Sequence, residues 1–145
     1  MSHLNERQLA MPYRNLGGTG LMVSALSFGT MTLNDHSPNP PKITDGEEAY
    51  ELCAAAYKGG VNCFDCAEVY GGGGSSERVL GSVIQKGIER GLWERMDLVI
   101  TTKLHMGGRG KKDSINSIGL SRKHLYDGLD DCATGGALPA LFRSA

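Results

Sequence analysis

The sequence predicts an α/β fold of barrel-type βα units, a β-hairpin and about three βα units, too short for a complete (β/α)8 barrel. Three observations predict it. Strand-like and helix-like segments alternate along the chain, the pattern of a parallel sheet. No G-x-G-x-x-G follows any strand and no G-x-x-x-x-G-K-S/T occurs, which argues against a doubly wound nucleotide fold. The chain has 145 residues, whereas a complete barrel usually needs about 250 and at least about 200. Glycine supplies 21 residues, about twice the usual share, which excludes a coiled coil of long helices.

The elements follow in order. Met11, Tyr13 and Leu16, then Leu21, Val23 and Leu26, alternate loosely on either side of Gly17-Gly18-Thr19-Gly20, which reads as a hairpin. Leu26 to Gly29 is the first strand of the sheet, and Pro38 to Pro41 lie in the loop beyond it. Thr44 and Glu47 have the spacing of a capping box. The helix after them carries Ala49, Leu52, Cys53, Ala56 and Tyr57 on one stripe and stops at Gly59-Gly60. Val61 to Asp65 reads as a buried strand ending in a carboxylate. Ser75 or Ser76 then caps a helix with Val79, Leu80, Val83 and Ile84 inward, and Gly87 and Gly91 punctuate its end. Asp97 to Lys103 is the clearest strand. Its run Leu98-Val99-Ile100 suits a parallel strand covered on both faces. Ser121 caps a third helix that carries Leu125, Leu129 and Cys132.

The net charge is −1, so the chain projects no field for polyanions. Arg109, Lys111 and Lys112 form the one basic cluster, and beside glycines it reads as a solvated loop rather than a nucleic-acid face. Residues 1–11 lack the apolar stretch of a signal peptide, and no run approaches a membrane span. The expected location is cytoplasmic, with neither nucleic acid nor membrane insertion. Cys63 and Cys66 form a C-x-x-C, which admits redox chemistry or half a zinc site. No second ligand pair is spaced for zinc, and an acidic neighbour, Asp65, raises a thiol pKa, so the pair reads as buried small apolar residues.

In a βα barrel, functional residues sit at the carboxyl ends of strands and in the loops just after them. Asp65 ends one strand, Tyr70 follows in its loop, and Lys103 ends the next strand. Adjacent strands lie about 4.8 Å apart, so Asp65 and Lys103 are expected to be neighbours at one rim. Such a trio suits proton donation to a carbonyl oxygen. A lysine cation beside a phenol favours the phenolate, and a carboxylate keeps the lysine charged and in place. On the residues alone a second reading stays open, in which Asp65 and Lys103 are a buried ion pair and Tyr70 is a loop aromatic.

The segments M-P-Y-R-N-L-G-G-T-G-L-M-V-S-A-L-S-F-G-T-M, F-D-C-A-E-V-Y-G, E-R-V-L-G and V-I-T-T-K, in this order, resemble the opening of an aldo-keto reductase. G-L-S-R-K-H-L at positions 119–125 resembles the voltage-gated potassium-channel β-subunit branch of that family. The resemblance covers about residues 11–131. It implies an NADP(H)-dependent barrel that reduces aldehydes and ketones, with a catalytic tetrad of Asp, Tyr, Lys and His. Asp65, Tyr70 and Lys103 take the first three catalytic places, and Thr30, Met31 and Asp65 lie near the nicotinamide. Met31 stands where the channel-subunit branch commonly has Trp. The implied cofactor is NADP(H). The implied partners are a small carbonyl substrate and either a second copy of the chain or a channel cytoplasmic domain.

The fourth tetrad member is expected at the end of a further strand that these residues do not supply. His124 reads as a surface residue of a helix start, and His105, two residues after Lys103, faces the rim without matching the family's histidine. The expected organisation is a disordered segment at 1–10, a partial oxidoreductase domain at 11–131 and a divergent tail at 132–145. The expected activity of such a fragment is low or absent. The alternatives are a regulatory module like the channel β subunits and a non-functional truncated gene product.

Overall fold

A short antiparallel hairpin opens the fold, β1 (Tyr13–Asn15) pairing with β2 (Met22–Ser24). The computed structural model describes residues 11–34, 43, 46–107 and 115–134, with side chains to 130. Beyond the hairpin come β3 (Phe28–Gly29), α1 (Gly46–Lys58), β4 (Cys63–Asp65), α2 (Ser75–Glu89), β5 (Val99–Thr101) and α3 (Arg122–Thr134). The strands β3, β4 and β5 form a parallel sheet in that order. A barrel adds each parallel strand beside its predecessor without reversing direction, and these three strands do so. The described residues are thus the N-terminal part of a (β/α)8 barrel: a hairpin and three βα units.

The hairpin is tied to the sheet at the end opposite the strand carboxyl termini. Asn62, just before β4, accepts from the Ser24 amide at 2.8 Å and donates its side-chain amide to the Met22 carbonyl at 3.0 Å. Tyr13 donates its hydroxyl to the Gly60 carbonyl at 2.6 Å.

The core lies between α1, α2 and the sheet, and the only tryptophan organises it. Trp93 meets Tyr57 edge-on at 5.2 Å and Tyr50 at 6.1 Å, and donates its indole N–H to the Ile84 carbonyl at 2.9 Å. The buried face of α1 is therefore Ala49, Tyr50, Cys53, Ala54 and Tyr57. This corrects the expected stripe: Leu52 is exposed and Ala56 half-buried, because the helix turns Tyr50 toward Trp93. Burial pushes the Cys53 thiol up to about 12.

On α2, Leu80, Val83 and Ile84 are buried as expected, with Val79 half-buried. Two other expectations for α2 fail. Gly74, in a left-handed conformation, takes the N-cap place, and neither Ser75 nor Ser76 does. Their hydroxyls go elsewhere: Ser75 donates to the Gly71 carbonyl at 2.7 Å, and Ser76 accepts from Asn34 at 2.8 Å. Gly87 lies within the helix, not at its stop. A Cβ there would fall 2.0 Å from the Trp93 ring, so glycine is needed for the ring's approach.

The strand β5 is shorter than expected and half-buried along its length. That is less than the covering expected on both faces, and among the described residues the strand also has a neighbour along one edge only. Its hydrogen bonding nevertheless runs on, with Cys66 N–H to the Thr101 carbonyl and Glu68 N–H to the Lys103 carbonyl. The Ser121 hydroxyl caps α3, accepting from the His124 amide at 3.1 Å. Leu125 and Leu129 on that helix are exposed, as little of the described chain packs over it. Thr44, the basic cluster at Arg109, Lys111 and Lys112, the Cys132 side chain and residues 1–10 lie outside the described residues.

Across the surface of α1 and α2, Glu47 pairs with Arg90 at 2.7 Å and Lys86 at 2.9 Å. Hydrogen bonds from Arg90 and then Lys86 hold its carboxyl down at about 2. A depressed carboxylate stabilises the fold above its unfolded value of about 4.5, and the benefit is lost as pH falls toward 2. Glu47→Gln is expected to flatten the pH dependence of urea unfolding in that window. High salt should shrink the difference, since the pair is exposed.

Candidate functional site

Parallel strands place their carboxyl ends together, and here that rim gathers the chain's polar side chains. Gly29 stands opposite Asp65, and Asp65 opposite Thr101. Thr30, one residue past β3, is fully buried, and both its amide and its hydroxyl donate to the Asp65 carbonyl at 3.0 Å. The Asp65 side chain is thereby aimed along the rim. Its Oδ1 accepts from the Thr101 hydroxyl at 2.8 Å, and its Oδ2 from Lys103 Nζ at 2.6 Å.

Lys103 uses all three of its donors. Besides Asp65, Nζ donates to the Cys66 carbonyl at 2.7 Å and to the Tyr70 hydroxyl oxygen at 3.3 Å, lying 4.9 Å from the Tyr70 ring centre. Burial works against the ammonium charge, but the bonds to Asp65 and Tyr70 outweigh it and raise the lysine above its usual value. The lysine therefore stays cationic through the neutral range. Because it donates to the Tyr70 oxygen, the phenolic proton is left to point elsewhere.

The cluster is open. The Lys103 side chain is 51% exposed and that of Asp65 34%. It is not the buried ion pair of the second reading. Tyr70 is half-buried against the core, held by its amide bond to the Ala67 carbonyl. The chain turns away after it through Gly71–Gly74, all at positive φ, where side chains would be strained.

Of the residues expected near a nicotinamide, Thr30 is buried against the Asp65 backbone and Met31 is exposed beside it, its carbonyl accepting from the Asn34 side-chain amide at 2.6 Å. The His105 side chain is exposed, and what its residue contributes is backbone: its amide donates to Glu68 Oε1 at 2.6 Å. Both thiols of the C-x-x-C are raised above the usual cysteine value. Burial pushes Cys66 up to about 11, and burial with the Asp65 charge raises Cys63. Among the described residues no group of three or more His, Cys, Asp or Glu could hold a metal ion. No described helix is long and apolar enough to cross a membrane.

One expectation is reversed. His124, read as a surface residue, is 5% exposed. Its Nδ1 meets the Gly119 carbonyl at 2.6 Å and its Nε2 meets Glu68 Oε2 at 3.1 Å. The Gly119 contact, opposed by burial and helped by Glu68, raises its pKa above the usual value. With Glu68 ionised, both partners are acceptors, and only an imidazolium offers two donors. Glu68 was not singled out from the sequence, nor was Glu77, fully buried and accepting from the Thr102 hydroxyl at 2.7 Å. The available signal was two acids close to a strand end, one in its loop and one opening the next helix, which composition alone does not separate from solvated charge.

Comparison with known proteins agrees with this placement of elements. A family model described as the aldo/keto reductase family matches residues 25–131. A structure from Pseudomonas aeruginosa, titled as an aldo-keto reductase, is 29% identical with a TM-score of 0.62, over 86% of this chain and 42% of that one. A second from the same organism is 28% identical with a TM-score of 0.63, over 94% and 46%. An aldo-keto reductase from Bacillus halodurans, solved in its holo form, is 25% identical with a TM-score of 0.62, over 85% and 35%. The chain thus spans less than half the length of each of these structures.

Proposed function

The chain belongs to the aldo/keto reductase family, and from that premise we propose that its strand-end cluster serves NADPH-dependent reduction of a small aldehyde or ketone. The observation that carries this reading is the Lys103 ammonium, saturated by Asp65, Cys66 and Tyr70 and so leaving the Tyr70 proton available. The rim fits a nicotinamide in its chemistry: an open surface beside Thr30, Met31 and Asp65, with a proton donor at its edge. The chemistry the bound cofactor supplies is a hydride. Tyr70 gives its proton to the carbonyl oxygen as that oxygen gains negative charge. Lys103 stabilises the phenolate left behind, and Asp65 with Thr101 holds Lys103 in place.

In this reading Asp65, Tyr70 and Lys103 are the catalytic residues, and the 145 residues alone bind NADPH weakly and turn over little. The family's histidine and its grip on the cofactor phosphates have no counterpart among the described residues. The test is NADPH oxidation with a small aldehyde, in the chain and in Tyr70→Phe. The expected rate is low and vanishes in Tyr70→Phe. A rate that survives Tyr70→Phe would overturn the assignment.

A second reading, that the chain is a regulatory module of the potassium-channel β-subunit kind, rests on the Gly119–Leu125 segment. Gly119 and His124 of that segment pack into the Glu68 cluster beside the rim. Co-purification with a channel cytoplasmic domain favours this reading. A cytoplasmic location is proposed with either.

A further inference from the structure

The strand β5 ends at Thr101, yet the residue the proposed chemistry depends on is Lys103, two positions further on. Past the strand end the ladder runs on only as far as the Lys103 carbonyl, and a lysine followed by a loose segment would not keep three acceptors at once. One side chain supplies the missing restraint. Glu68, in the loop after β4, is 5% exposed. Its amide donates to the Lys103 carbonyl at 3.1 Å. Its Oε1 accepts from the amides of His105 at 2.6 Å and Gly107 at 2.9 Å. Its Oε2 meets His124 Nε2 at 3.1 Å, and His124 is held in turn by the Gly119 carbonyl. The Gly119 amide closes the ring by donating to the His105 carbonyl at 2.7 Å. Three segments, after β4, after β5 and at the start of α3, therefore meet on one buried carboxylate.

We propose that Glu68 is a positioning residue for Lys103, its carboxylate fixing the backbone of residues 103–107 so that Nζ reaches Asp65, Cys66 and Tyr70 together, with His124 as the partner that holds the carboxylate. A carboxylate is suited to this because it accepts at both oxygens, one serving two amides and the other the imidazole. Charge-assisted bonds to backbone N–H groups are stronger than neutral ones, so one side chain can replace a length of ladder. The inference rests on the reductase reading for what Lys103 is positioned to do, though the geometry stands without it.

The test is amide hydrogen exchange and lysine side-chain NMR on the 145-residue chain, with Glu68→Ala, Glu68→Asp and Glu68→Gln. Glu68→Ala is expected to speed exchange at His105 and Gly107 by about tenfold or more, the scale of a hydrogen bond to a charged acceptor. It should also move the Lys103 Nζ resonance toward those of exposed lysines, with amides of α1 and α2 unchanged. Glu68→Gln, whose amide oxygen still accepts but without the charge and at one oxygen only, should restore part of both. Should Glu68→Ala lose protection throughout, Glu68→Asp decides, being one methylene too short to reach both amides in a chain that keeps the charge. Exchange and Nζ signals that stay as in the parent in Glu68→Asp or Glu68→Ala would overturn the proposal, as would Glu68→Gln behaving like Glu68→Ala. Failure of NADPH-dependent turnover would count against the reductase reading and leave these signals untouched.

Discussion

Replacing Gly87 by alanine is expected to destabilise the fold, although alanine is the better helix former by about 1 kcal/mol. The added Cβ would lie 2.0 to 2.4 Å from three atoms of the Trp93 indole. The ring has no easy retreat. Its N–H is bonded to Ile84, one edge meets Tyr57 and the other side Tyr50, and it is 4% exposed. Overpacking a core costs about 1–3 kcal/mol, so after the helix gain of about 1 kcal/mol we expect a net loss of about 1 kcal/mol in chemical denaturation, followed by the fluorescence of the single tryptophan. Gly46→Ala, with nothing within 4 Å of the new Cβ, serves as the control and should be neutral or mildly stabilising. In a Trp93→Phe background, where unfolding of both backgrounds is followed by far-UV circular dichroism instead, the Gly87→Ala penalty should shrink, because the two effects share one contact. Equal penalties in the two backgrounds would show that Trp93 is not the cause.

Lys103→Met should have the largest effect at the site. It removes the cation from Asp65 and the donors to the Cys66 carbonyl and the Tyr70 oxygen in a single step. Whatever turnover the chain supports is expected to fall about 10²–10³-fold, the usual consequence of removing one donor that stabilises developing charge. Lys103→Arg should not rescue it. A planar guanidinium does not distribute three donors in the directions these acceptors occupy. Stability should change little by comparison, since the lysine is half exposed and ion pairs so exposed contribute about 0–1 kcal/mol. A variant that unfolds, rather than one that is folded and slow, would show that the cluster is structural.

The parts legible in the sequence were those set by local spacing. The hairpin turn, the order of strands and helices and the Ser121 cap each depend on a few neighbouring residues. So does the meeting of Asp65 with Lys103, because each ends a strand and parallel strands bring their ends together. What escaped depends on partners distant along the chain. The buried face of α1 turns on Tyr50 reaching Trp93, and Gly87 looks like a helix breaker until the indole is seen against it. His124 sits among polar neighbours in S-R-K-H and reads as surface, yet it is buried on Glu68, 56 residues away. The strand β5 reads as covered on both faces because its residues are apolar, and sequence pattern does not show which neighbours are there to cover it.

The most direct test of the central claim, that Thr30, Asp65, Tyr70 and Lys103 form one nicotinamide-facing proton-donating site, is an NMR titration of the labelled chain with NADPH, parent against Lys103→Met. Weak, saturable shifts are expected at these four residues and at Met31, with those at Asp65 and Tyr70 lost in Lys103→Met. Shifts confined to residues away from the strand ends, or none at millimolar NADPH, would contradict it.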